Sequence, residues 1–228
     1  MASSVLIIAE SGSGKSTSGR NLPHEETFWI NVANKPLPFK GWKTKYPMYD
    51  KTKCPDGRML AISKPAQIVK TMEWISNNRP EIKNLIIDDW QYMSAFEFFD
   101  RAQDKGYEKF TEIGQGIAQV AKAPIKLRDD LIIFFMTHAE ETTDAKGKRK
   151  QKAKTIGKMV DEKLTLEGLF SIVLYGKAKE DKEGKMQYVF ETQTDGSNTC
   201  KSPMDMFESV DIPNDLQLVK EAIIKYEQ

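Results

Sequence analysis

Ser4-Val5-Leu6-Ile7-Ile8 runs directly into Ala9-Glu10-Ser11-Gly12-Ser13-Gly14-Lys15-Ser16-Thr17. The apolar run reads as a strand, and the residues after it have the spacing G-x-x-x-x-G-K-[ST] of a phosphate-binding loop, with Ala9 at the first glycine position. Gly12 and Gly14 open backbone turns closed to residues with a Cβ. The N–H groups of the loop from Glu10 through Ser11 and Ser13 can then point inward at phosphate oxygens. Lys15 brings a mobile positive charge to the β- and γ-phosphates, and Ser16, followed by Thr17, offers a hydroxyl to Mg²⁺. The helix expected to open here turns its positive end towards the anion. A Gly/Ser linker containing Gly-Lys-Ser by chance is the alternative, and the strand directly before the loop speaks against it. The expected ligand is a nucleoside triphosphate.

About seventy residues on stands Leu85-Ile86-Ile87-Asp88-Asp89. Three aliphatics closing on a carboxylate describe a buried parallel strand whose carboxyl end meets the nucleotide, the Walker B pattern. Asp88 is expected to hold Mg²⁺ through its water shell and Asp89 to orient or deprotonate an attacking water. Asp is also a good helix cap, so the pattern gains its chemical meaning from the loop upstream.

Leu131-Ile132-Ile133-Phe134-Phe135-Met136 reads as the next buried strand, ending at Thr137-His138. A polar pair at the end of a strand beside Walker B would sit near the γ-phosphate, where His138 could sense hydrolysis; it could equally be a structural hydrogen-bonding residue. Residues 140–157 are poor in apolar side chains and rich in cations: Lys146, Lys148, Arg149, Lys150, Lys152 and Lys154, with Lys158 just beyond. They read as a mobile basic loop able to track the phosphates of single-stranded DNA, or as a solvated charge run.

Between and around these signals the chain reads as α/β. Pro23 keeps the helix after the loop short. Thr27-Phe28-Trp29-Ile30-Asn31-Val32 suits a second strand, and residues 66–78 suit an amphipathic helix. Residues 34–65, punctuated by five prolines, read as an irregular excursion whose aromatics either pack on one another or stack on a base. Residues 90–126 read as helical with a break near Gly106, and 159–167 as a short helix. Residues 170–175 and 186–191 read as an antiparallel pair across the turn Asp181-Lys182-Glu183-Gly184-Lys185, and residues 214–226 as a closing helix.

With 228 residues, 39% apolar and 29% charged, the chain can bury a substantial core, and no repeat or linker divides it, so one domain is expected. A net charge of +1 argues against a globally basic nucleic-acid binder and confines any such contact to a patch. Cys54 and Cys200 lack ligand-spaced histidines, so neither a disulfide framework nor a zinc site is expected. With no long apolar span and no charged, signal-like start, the expected location is the cytoplasm.

The order of parts resembles the RecA-like core: phosphate loop, Walker B, a strand ending Thr137-His138, a basic loop, then a late β-hairpin followed by Lys201-Ser202-Pro203. More closely, the chain looks like the small phage-encoded RecA-like ATPases classed with Sak-type single-strand annealing proteins. Supporting stretches are Lys35-Pro36-Leu37-Pro38, Gly106-Tyr107-Glu108-Lys109-Phe110 and Thr137-His138-Ala139-Glu140. The resemblance implies a mostly parallel central sheet flanked by helices, ATP hydrolysis with Mg²⁺, single-stranded DNA binding, homo-oligomeric rings or filaments, and a role in phage recombination beside a single-strand binding protein. It also implies a cation from a neighbouring protomer, for which Lys201 is the candidate and Lys158 the second. RecA takes its catalytic glutamate from just after the second strand; Ala33-Asn34-Lys35 stands there, which moves the expected base to Asp89. Two other readings are a nucleotide-gated DNA-binding module with little turnover and a small-molecule or nucleotide kinase. The kinase would need arginines over the phosphates, whereas the six present are scattered.

Overall fold

The computed structural model describes residues 1–106, 108–143, 147–155 and 164–228. In chain order its elements are β1 (Ser3–Ala9), β2 (Thr27–Asn31), the one-turn α1 (Trp42–Lys45), β3 (Met59–Leu60), α2 (Pro65–Asn78), β4 (Asn84–Asp88), α3 (Gln91–Asp100) and α4 (Glu108–Lys122). Next come β5 (Ile132–Thr143), β6 (Arg149–Ala153), β7 (Ile172–Glu180), β8 (Met186–Glu191), β9 (Asp211–Pro213) and α5 (Leu216–Tyr226). One sheet runs β3-β2-β4-β5-β1-β7-β8-β9, with β6 on the far half of β5. It is parallel from β3 to β7 and antiparallel from β7 to β9, an α/β fold with a mostly parallel, mixed sheet.

Alternation sorts the central strands between two cores. On one face Leu6, Ile8, Phe28, Ile30, Leu85, Ile87, Ile133 and Phe135 meet Ile68, Met72 and Ile75 of α2 and Ile117 and Val120 of α4. On the other, Val5, Ile7, Trp29, Ile86, Phe134 and Met136 meet Leu216, Val219 and Ile223 of α5. Because helices or loops cover both faces, the strands are apolar runs, and each buried Leu, Ile or Phe contributes roughly 1.5–3 kcal/mol. Asp215 caps α5, its Oδ1 accepting from Gln217 N at 3.0 Å.

Residues 34–65 are less irregular than the prolines suggest, since they contain α1 and β3. Their aromatics pack inward: Trp29, Phe39 and Tyr46 contact one another at ring separations of 5.7–6.2 Å, and Tyr46 is buried. The antiparallel pair at 170–191 forms with Tyr175 opposite Glu191.

Two expectations need correction. The segment after the glycine loop is a six-residue 3₁₀ helix, Ser16–Asn21, ended before Pro23, too short to carry much of a dipole. The basic stretch is not a loop throughout. β5 continues through Thr143 and pairs antiparallel with β6, Glu140 opposite Lys152 and Thr143 opposite Arg149, so the described part is a β-hairpin. Period-2 placement of Lys150 and Lys152 hid the strand, because neither of its faces needed to be apolar. Of the helix expected at 159–167, residues 159–163 lie outside the described residues; Leu166–Leu169 is a 3₁₀ turn. Lys146, Lys158 and Tyr107 also lie outside them. No helix among the described residues is long and apolar enough to cross a membrane.

Candidate functional site

β1 delivers the glycine loop to the carboxyl edge of the sheet, and β5 lies between β1 and β4. Ala9 stands level with His138 on β5 and with Gly176 on β7, and Asn31 level with Asp88 across β2 and β4. The ends of these strands therefore open onto one cleft of about 630 Å³, with Lys15, Ser16, Lys35, Asp89 and His138 in its walls.

Gly12 and Gly14 have φ of 82° and 83°, the left-handed turns for which the sequence supplied glycine. Lys15 is nearly buried, its Nζ donating to the carbonyls of Ala9 at 3.1 Å and Glu10 at 3.2 Å. Burial lowers its pKa, while Asp89 and Asp88 pull it back up. The lysine is folded over its own loop, a cation anchored by neutral carbonyls that an anion could draw away.

Ser16 Oγ donates to Asp88 Oδ1 at 3.0 Å. Asp88 is buried, and that burial, reinforced by neighbouring Asp89 and opposed by the Ser16 hydrogen bond, pushes its pKa up to about 6. A hydroxyl and a carboxylate meeting at one point are hard oxygen donors of the kind Mg²⁺ uses with phosphate oxygens and waters. Among the described residues no group of three or more His, Cys, Asp or Glu could hold an ion by itself. The pair fits a metal that arrives with a phosphate.

Asp89 has a φ of 56°, unusual for a residue with a Cβ, and Trp90 N donates to Met136 O at 2.9 Å, tying this turn to β5. Its carboxylate is held from two sides, by Lys35 Nζ on Oδ2 and by His138 Nε2, 3.4 Å from Oδ1. Burial alone would raise its pKa; the hydrogen bonds from His138 and Lys35 outweigh it and lower the pKa to about 2. Such a carboxylate can orient a water but is a weak proton acceptor. His138 is fixed in turn: its backbone N–H donates to Gln91 Oε1 at 3.3 Å and its ring meets that of Tyr92 edge to face.

The structure brings together the loop, Lys15, Ser16, Asp88, Asp89 and His138. Glu10, Ser11, Gly12 and Ser13 also line a second groove of about 520 Å³, shared with Arg149 and Lys150 of β6 and Lys177 of β7. The remaining cations diverge. Lys152 pairs with Glu140 at 3.1 Å and Arg149 Nε lies 3.6 Å from Glu141, so the hairpin partly neutralises itself. Lys154 lines a third, more apolar cavity of about 370 Å³ beside His138, Phe98 and Phe99, and Lys148 approaches Gly196. Lys201 stands apart from the cleft, its backbone bridging Val173, which is level with Leu6.

Sequence reasoning missed Lys35 as a site residue, although its place just past the end of β2, beside Walker B, was a usable signal. It also missed the opposite rim. Arg20 donates to Asn214 O at 3.1 Å, Asn214 Nδ2 reaches Ser13 O at 3.4 Å, and Tyr188 lies against Gly14. About two hundred residues separate Asn214 from the loop, and no local pattern marks such a contact. Compared with known protein families and with curated proteins, the chain matches no family model and no curated protein.

Proposed function

We propose that this chain is a Mg²⁺-dependent ATPase of the RecA-like P-loop class, resembling the phage Sak-type proteins, that binds single-stranded DNA and promotes annealing or strand pairing. One convergence carries the reading. The glycine loop, Lys15 and the Ser16–Asp88 pair meet in a single cleft although they come from strands separated by β5. The strand carrying Thr137-His138 lies beside the Walker B strand, where the sequence reading expected it, and His138 stands level with Ala9 at the start of the loop.

Bound Mg²⁺ would supply positive charge to offset that of the phosphate oxygens of ATP. Ser16 and Asp88 are the residues to hold it, and the loop N–H groups cradle the phosphates. Lys15, released from the carbonyls of Ala9 and Glu10, offsets charge that develops in the transition state. Asp89 orients the attacking water, and His138, touching Asp89, registers what happens there and passes it along β5 to the basic hairpin. Arg149 and Lys150, with Lys148 and Lys154 nearby on the same hairpin, are the proposed contacts to the DNA backbone. Homo-oligomerisation, Lys201 as the cation given to a neighbouring protomer, a single-strand binding protein as partner, and a cytoplasmic location belong to the same proposal.

A specific observation favours the second reading, a nucleotide-gated binding module: Asp89 is pinned from two sides, by the Lys35 ammonium and the His138 ring, an arrangement suited to slow turnover. Measuring phosphate release from ATP with and without a single-stranded oligonucleotide, over rising salt, separates the two. The ATPase reading expects the oligonucleotide to accelerate release and salt to remove the acceleration. The gated module expects DNA retention with little release. Neither DNA retention nor phosphate release at any salt would contradict both.

A further inference from the structure

Lys35 brings to the cleft a charge to which the proposed reaction gives no task. Its main chain is fixed: Asn31 Nδ2 donates to Lys35 O at 2.6 Å, Lys35 N donates to Asn31 Oδ1 at 3.1 Å, and Asn34 before it has a φ of 52°. Its side chain is 55% exposed and held at its tip alone, by the Asp89 side chain, which is 3% exposed. A cation on a four-carbon stem thus reaches from a fixed base into the cleft and covers a sealed carboxylate. The Tyr92 ring lies 5.9 Å from the same ammonium and offers a face along the path.

Lys15 and Lys35 both face this cleft, and both are held by groups of the protein itself, Lys15 by carbonyls and Lys35 by Asp89. A terminal phosphate beside them carries more charge than one carboxylate and presents oxygens in more directions, so it competes for the Lys35 ammonium. Asp89 is then held by His138 alone, at 3.4 Å, and one of its oxygens becomes free for water.

We propose that Lys35 is a γ-phosphate-responsive latch, resting on Asp89 in the empty or diphosphate-bound cleft and transferring to the terminal phosphate of a bound triphosphate. This rests on the proposed nucleotide site and adds to it a residue that distinguishes triphosphate from diphosphate and times the release of Asp89. Lys35 is a ligand of the terminal phosphate and, through Asp89, a positioning residue for water.

The test uses the full chain as wild type, Lys35→Met, which keeps the stem and loses the charge, and Lys35→Arg. Binding of Mg·ADP and of a non-hydrolysable Mg·ATP analogue is measured for each by calorimetry. A charge-assisted bond to the terminal phosphate predicts that Lys35→Met weakens the analogue by about 10- to 100-fold and leaves ADP within about twofold, with Lys35→Arg recovering most of the loss. Equal loss for both nucleotides, or loss for neither, overturns the latch while leaving the nucleotide site intact. Wild-type protein that binds neither nucleotide overturns the site itself and the latch with it.

Discussion

Asp88 and Asp89 are neighbours in sequence with opposite fates. Asp89 has Lys35 and His138 to face its charge; Asp88 has one hydroxyl and a second carboxylate beside it. Asp88 therefore binds its proton more tightly folded than unfolded. Its contribution to stability is fully present below about pH 4 and is lost as pH rises through about 6, about two pKa units or up to about 3 kcal/mol. Asp89, lowered to about 2, contributes in the reverse sense: its share is present above about pH 4 and is lost as pH falls through about 2. Asp88→Asn keeps an acceptor for Ser16 and removes the buried charge. At pH 8 without nucleotide or Mg²⁺ this variant is expected to melt several degrees above wild type, and the gap should narrow as pH falls through 6. Mg·ATP should stabilise the wild type and leave the variant unmoved. A variant less stable than wild type at pH 8 would show that the carboxylate is structural and not a poised metal ligand.

The elements that make the cleft are joined where side chains are smallest. Ala9, the last residue of β1, stands level with Gly176 on β7, and a Cβ on Gly176 would lie 2.8 Å from that of Ala9. Where a phosphate loop ordinarily opens with glycine, this chain carries alanine, and the neighbouring strand lacks the Cβ instead, at Gly176. Gly176→Ala should therefore destabilise by roughly 1–3 kcal/mol through overpacking at the loop entrance, and adding Ala9→Gly should restore much of it, because the double variant again pairs one glycine with one alanine across the two strands. Thermal melts of the two single variants and the double close the cycle. Strictly additive effects would mean that the two positions do not press on one another.

Across the whole molecule, legibility tracked the range of the cause. The loop, the Walker B strand, the other central strands and α2 were readable because a buried strand or amphipathic helix writes its period into a few consecutive residues. Ser16 and Asp88 could be paired from sequence because their motifs name each other. The hairpin of β5 and β6 was not readable, since alternating charges on two wet faces resemble a solvated loop until the partner strand is placed. Nor was Asn214 behind the loop, because it belongs to the site by tertiary contact alone, whereas Lys35 offered one signal, its place just past the end of β2. The central claim is that a triphosphate is held between the backbone of residues 9–17 and the acidic end of β4. Calorimetric titration of a non-hydrolysable Mg·ATP analogue into wild type and Lys15→Ala tests it most directly. The account predicts one-to-one binding by the wild type and a loss of at least about tenfold in the variant; equal affinity in both, or no heat from either, would contradict it.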